Sequence, residues 1–236
     1  METTATAARP FKDANRVIVS VLAPAEKKTL RFLAARMPAA VNSDHLTVLA
    51  LVAMLGAGLS YWYARYSPAG LVLVAVCLAV NWFGDSLDGT LARYRNHQRP
   101  RYGYYVDHVV DAFGALFLLG GLALSGYMHP MLAMGLLVGF LMLSAETYLA
   151  AHVLGEFRIT HFQLGPTEMR ILLAIGTLWL LVRPTVQLAG QSFRLFDVGG
   201  VIAIAGMFVT LVTTAMVHTR QLYRAEPIPG REKGRL

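Results

Sequence analysis

The stretch GDSLDGTLARYRNHQRPRYGYYVDHVVD, Gly84 to Asp111, sets four aspartates beside some of the most apolar parts of the chain. Asp85 and Asp88 are three residues apart and Asp107 and Asp111 four apart, so on helices each pair shares one face. A carboxylate at a bilayer centre costs about 2.5–3.5 kcal/mol even on the lenient insertion scale, and clustered anions also repel. The cost falls towards the membrane edge, but something must still neutralise them. Arg93 is one nearby counter-charge. Four oxygen donors converging from two helices are better suited to hard divalent cations, Mg²⁺ or Mn²⁺. Two such ions, roughly 3.5–4 Å apart, clamp a pyrophosphate and stabilise its entering and leaving oxygens. The plainer reading, four solvated loop aspartates, fits less well, because the linker is basic while the aspartates border apolar runs.

Glycines sharpen the picture. Gly89 follows Asp88 and shares a face with Asp85 and Ala92, and Gly103 lies one turn before Asp107. Both remove side-chain bulk, so that a flat or bulky ligand can approach the backbone, although a single helical glycine more often serves packing.

The elements that must hold these groups are membrane helices. Hydrophobic residues make up 56% of the 236 positions and charged residues only 15%, gathered in clusters between long apolar runs. Windows of about 20 residues, the length that crosses a hydrocarbon core of roughly 30 Å, locate six expected spans. They run approximately 46–64, 69–92, 104–126, 129–153, 167–183 and 198–218. With the N-terminus cytoplasmic, 18 of the 21 Lys and Arg fall on inside segments and only Arg65, Arg183 and Arg194 outside. That bias expects both termini and the RYRNHQRPRYG linker on the cytoplasmic side. It also accounts for the basic pI of about 9.8 without nucleic acid as a partner. No cleavable signal peptide is expected, since the apolar run Val17 to Ala23 is short and leads into Pro24 and a charged EKK. Cys77 is the only cysteine, which rules out an intrachain disulfide and reads as a small core residue.

The expected organisation is a tail and juxtamembrane helix over 1–44, a six-helix membrane domain over 45–218 and a basic cytoplasmic tail over 219–236. Met1 to Arg16 reads as a mobile tail. From Ala25 to Met37, Leu30, Leu33, Ala34 and Met37 form one stripe with Lys27, Lys28 and Arg31 off it, the pattern of a helix lying on an anionic membrane surface; Phe32 breaks the stripe. NSDHLT, Asn42 to Thr47, supplies cap residues for the first span. The prolines and glycine of the C-terminal tail argue against a continuing helix there.

Taken together, Asp85-x-x-Asp88-Gly89-x-x-Ala92-Arg93, nine residues and Gly103-x-x-x-Asp107-x-x-x-Asp111 resemble the signature of the CDP-alcohol phosphotransferase family at all eight defined positions, spread over 27 residues. The resemblance implies an all-α, six-helix integral membrane enzyme, usually a homodimer, preceded by an amphipathic interfacial helix. Such an enzyme moves a phosphoalcohol from a CDP-linked donor to an alcohol acceptor and releases CMP. It further implies that Asp85, Asp88, Asp107 and Asp111 hold the metals and that Asp111 is the candidate general base. Gly89, Ala92, Arg93 and Gly103 would line the cytidine and pyrophosphate site. The side-chain chemistry agrees: an arginine offers forked donors to phosphate, and an aspartate near a metal-polarised hydroxyl can accept its proton. One departure lies at the first span, where members often carry PN ahead of LT. Here the chain reads NSDHLT, so Thr47 matches and the residues before it do not.

Further polar residues lie in or beside the spans. Glu146 is a functional candidate by its depth, or a carboxyl paired with a neighbouring helix. Glu168, after Pro166, suits the positive end of a helix, with Arg170 beside it. Both stretches, like Asp107-His108, are similar to segments of eukaryotic choline and ethanolamine phosphotransferases. His108 is expected to hydrogen-bond phosphate or a carboxylate rather than ligate a metal, and Arg99 and Arg101 to attract lipid headgroups or an acceptor phosphate. The favoured donor is CDP-diacylglycerol. The alternatives are transfer from a CDP-aminoalcohol to diacylglycerol, an intramembrane prenyltransferase with Asn81 ahead of the first acidic pair, and a non-enzymatic transporter.

Overall fold

The side chain of Asn42 starts the first long helix. It accepts from the His45 amide at 3.0 Å, while the Asn42 amide donates to His45 Nδ1 at 3.3 Å, a reciprocal cap that satisfies two otherwise orphaned donors. In the computed structural model, which describes residues 15–17, 22–154, 156–158, 165–226 and 228, that helix is α2 (Ser43–Tyr63), preceded by α1 (Ala23–Arg36). After it come α3 (Ala69–Tyr94), α4 (Pro100–Ser125), α5 (Pro130–Leu154), α6 (Pro166–Trp179) and α7 (Leu195–Ala225). Short strands complete the described residues. Strand β1 (Asn15–Val17) pairs in parallel with β2 (Glu156–Arg158), and β3 (Thr185–Leu188) with β4 (Gln191–Arg194) as an antiparallel hairpin.

Helix α2 is the spine, because small residues let both neighbours approach its backbone. A Cβ at Gly84 of α3 would lie 2.6 Å from the Leu46 carbonyl oxygen, and one at Gly121 of α4 would fall inside the Gly58 carbonyl. Thus α2 packs along both α3 and α4, whereas α3 and α4 make at most marginal backbone contact with each other. One core cluster gathers Ala57, Tyr61, Leu71, Val74, Leu78 and Leu122, tied to α6 by a buried Tyr61–Thr177 hydroxyl pair at 2.5 Å.

Among the described residues, five helices are long and apolar enough to cross a membrane: α2, α3, α4, α5 and α7. The expected fifth span, 167–183, differs. Its helix α6 has 14 residues, about 21 Å at 1.5 Å per residue, short of a core of roughly 30 Å. The chain turns at 180–182, ahead of Arg183 and Pro184, where the proline ring disfavours helical backbone at the preceding residue. The last helix is longer than expected. It runs through 219–225, part of the anticipated non-helical tail, and ends just before Pro227.

Helix α1 forms where its stripe indicates, but the apolar face turns onto protein. Leu30 and Ala34 are buried with Leu46, Leu87 and Leu91, and Leu33 and Met37 pack against the same cluster. Lys27, Lys28, Arg31 and Phe32 remain exposed. Arg95 fastens the turn after α1 by donating to the carbonyls of Val41, Met37 and Pro38. Asn15 and Arg16, expected within a mobile tail, belong to β1, while residues 1–14 lie outside the described residues.

Candidate functional site

The two aspartate pairs come together where α3 ends and α4 begins. Asp85 and Asp88 project from the last turns of α3, and Asp107 and Asp111 from the early turns of α4. Asp88 lies in the electrostatic field of Asp85 and Asp107, and Asp111 in that of Asp85, Asp107, Asp88 and Arg170. All four carboxylates therefore share one electrostatic neighbourhood. Asp111 is exposed on its helix, and the other three are partly buried.

Asp88 and Asp85 are tied to neighbouring helices. Thr47 Oγ1 of α2 donates to Asp88 Oδ2 at 2.6 Å, and the Gly89 amide donates to Asp88 Oδ1. Arg170 Nη2 of α6 donates to Asp85 Oδ2 at 2.5 Å, with both side chains largely buried. The arginine that pairs with Asp85 thus comes from α6. Arg93 folds back towards its own helix, its Nη1 3.4 Å from where a Gly89 Cβ would stand and its Nη2 3.3 Å from Thr90 Oγ1. A Gly89 Cβ would stand in ordinary van der Waals contact with that guanidinium. A Cβ at Gly103 would meet nothing within 4 Å, so that side of α4 lies open.

As a cation site, the donor set has the right chemistry: four carboxylates, hard oxygen donors, carried on two helices. The side-chain geometry does not close a coordination sphere. Among the described residues, no group of three or more His, Cys, Asp or Glu side chains is arranged to hold one ion. The bonds from Thr47 and Arg170 take up carboxylate oxygens that a metal would claim.

A groove of about 420 Å³ runs between the start of α2 and the end of α3. Asn42, Ser43, Asp44, Leu91, Ala92, Arg95, His97, Gln98 and Arg99 line it. Ala92 therefore faces a cavity with the cap residues of NSDHLT, although those residues depart from the usual sequence of that turn. Arg99 is ion-paired with Asp44 across the groove and stacks 4.0 Å over the Tyr102 ring.

His108 sits in an aromatic bracket. Its Nδ1 lies 2.6 Å from the Tyr104 carbonyl, so the ring donates there and carries its proton on Nδ1; its centroid is 4.1 Å from Tyr104 and 4.5 Å from Tyr148. The Asp107 carboxylate is 3.8 Å from the same nitrogen. Glu146 is a paired carboxyl, 2.6 Å from His218 Nδ1 across α5 and α7. Glu168 is a cap, accepting from the Gly165 amide at 3.0 Å, and it also accepts from the Leu22 amide at 3.1 Å.

Spacing in the sequence does not point to Tyr104, Tyr148 or Glu26, and it gives Thr47 and Arg170 no partner. Thr47 was signalled only by its place in the LT pair. The bonds to Asp88 and Asp85 span 41 and 85 residues and leave no trace in local spacing.

A model of the CDP-alcohol phosphatidyltransferase family matches residues 40–217. No curated protein matches. Among solved structures, a crystal structure of Mycobacterium tuberculosis phosphatidylinositol phosphate synthase with CDP-DAG bound is similar at 17% identity and a TM-score of 0.49. That match covers 89% of this chain and 98% of the other.

Proposed function

This chain belongs to the CDP-alcohol phosphatidyltransferase family, and from that premise we propose that it moves a phosphatidyl group from CDP-diacylglycerol to a small alcohol, releasing CMP. Membership makes it a membrane-associated transferase of substituted phosphate groups in phospholipid synthesis. The prenyltransferase and transporter readings fall away. What supports the specific proposal is that the four signature aspartates share one electrostatic neighbourhood, with Thr47 and Arg170 bonded to two of them.

In this reading Asp85, Asp88, Asp107 and Asp111 would hold two Mg²⁺ or Mn²⁺ ions, which would supply charge neutralisation to the pyrophosphate. Arg93 binds a phosphate oxygen with its forked donors. Gly89, Ala92 and Gly103 leave room for the nucleotide, whose base occupies the groove beside Asn42 and Ser43. The acceptor's hydroxyl oxygen bonds to the lipid-bearing phosphorus, the bond from that phosphorus to the bridging oxygen breaks, and CMP departs with that oxygen. Asp111 receives the hydroxyl proton.

The finer architecture is part of the same proposal. Short α6, extended by its terminal turns, serves as a sixth crossing within the bundle, which makes both termini and the site cytoplasmic. Helix α1 rides at the interface with Phe32 and its basic residues towards lipid. Two chains pair as a homodimer. Crosslinking in native membranes that yields only monomer removes the dimer.

Mass spectrometry of the lipids made by purified protein, offered a panel of CDP donors and alcohols, tests the reaction. A phosphatidyl product with stoichiometric CMP supports it. Product from CDP-choline or CDP-ethanolamine and diacylglycerol alone reverses the direction, and no CMP from any donor overturns it.

A further inference from the structure

Glu26 lies in the first turn of α1, where a carboxylate satisfies the helix dipole without contacts elsewhere. Here it does more. Its Oε1 accepts from Trp82 Nε1 at 2.8 Å, Ser86 Oγ at 3.1 Å and Thr167 Oγ1 at 2.6 Å. Trp82 and Ser86 are one turn apart on α3, and Thr167 lies in the first turn of α6. A second carboxylate laces α1 to α6 in the opposite sense, since Glu168 of α6 accepts the Leu22 amide just ahead of α1.

The placement of these donors gives Glu26 its reach into the site. Ser86 adjoins Asp85, and Thr167 is three residues before Arg170 on one face of α6. One carboxylate oxygen thus grips the near neighbours of both partners in the Arg170–Asp85 pair. Hydrogen bonds to an ionised acceptor are roughly twice as strong as neutral ones, and three of them converge where α6 meets α3.

We propose that Glu26 is a positioning residue: it fixes the first turn of α6 against α3 and thereby holds Arg170 on Asp85, so that α1 sets the charge balance of the carboxylate cluster. The proposal rests on the transferase reading only for its kinetic consequence. Gln keeps an acceptor oxygen in the same place and should preserve the junction, whereas Ala removes it.

Two measurements on the full-length protein in detergent test this. In the first, phenylglyoxal modification of Arg170 is followed by peptide mass spectrometry with exposed Arg65 as internal control. Glu26→Ala should raise the Arg170 rate about fivefold or more and Glu26→Gln should leave it within about twofold, as the two species differ only in whether the guanidinium is held. An unchanged Arg170 rate in Glu26→Ala overturns the proposal whether or not the protein turns over a CDP donor. In the second, kcat/KM for CMP release is measured through a double-mutant cycle. Glu26→Ala should lower it about tenfold in the parent but less than about threefold when Arg170 is already Ala, because residues acting through one contact are not additive. Equal losses in both backgrounds make Glu26 a general stabiliser and overturn the assignment. Thr167→Val, a milder break of the same junction, should move both readouts in the same direction as Glu26→Ala.

Discussion

Thr47 donates its hydroxyl to Asp88 across the α2–α3 interface at 2.6 Å, the sole side-chain tie described between the spine helix and the acidic pair of α3. A hydrogen bond to a charged group is worth about 1.5–3 kcal/mol, or roughly tenfold to a hundredfold in an equilibrium. Thr47→Val should lower kcat/KM by at least about tenfold while Thr47→Ser stays near the parent. Steady-state CMP release decides it, and a Val variant at full activity removes Thr47 from the site.

Metal dependence is the second expectation. Four carboxylates facing a pyrophosphate need cations between them. Exhaustive chelation should abolish turnover and added Mg²⁺ or Mn²⁺ restore it. Asn at Asp85, Asp88 or Asp107 keeps the shape and loses the charge, so each variant should remain folded and inactive. Full turnover in chelator, or near-normal rates in all three variants, sinks the metal reading.

Asp111 separates binding from chemistry. It is the exposed member of the cluster, one turn further along α4 than Asp107. Asp111→Asn should retain measurable binding of the CDP donor while losing transfer, which equilibrium binding and a turnover assay resolve. Should both fall by the same factor, Asp111 is a ligand only and His108 is the next base to test.

Backbone contact between α2 and α4 predicts a difference between adjacent glycines. A Cβ at Gly121 would fall inside the Gly58 carbonyl, whereas one at Gly120 meets nothing within 4 Å. Overpacking of this kind costs about 1–3 kcal/mol. Gly121→Ala should lower the thermal midpoint in detergent by several degrees and Gly120→Ala should not. Matching midpoints contradict the α2–α4 contact.

What the sequence revealed follows periodicity. The aspartate pairs, the Asn42 cap and the α1 stripe all depend on spacings of three or four residues, which a helix converts directly into geometry. Partnership between distant segments does not show in such spacing. The α1 stripe looked ready for lipid, yet Leu46, Leu87 and Leu91 present a surface that the same residues cover. Hydropathy located α6 but not its length, since Leu180 to Val182 are apolar without being helical. The hairpin after it carries a local signal of its own. TVQLAGQSFR places Ala189 and Gly190 between alternating residues, and both adopt positive φ, 50° and 80°, as a two-residue hairpin turn requires. Small residues on α4 and α7 suit either packing within the bundle or contact between two chains. Gly114, Gly121 and Gly200 pack within the bundle, while Gly120, Gly199 and Gly206 face open space.

Behind the carboxylates, α3 and α4 are held apart by their shared attachment to α2 and scarcely meet. If the donor is the two-tailed lipid proposed above, it reaches the site by drifting sideways within its own leaflet, not by leaving water. The donor's occupancy of this enzyme is then governed by its mole fraction in the bilayer, so diluting it with inert lipid at constant total amount in the tube slows the reaction as if substrate had been withdrawn.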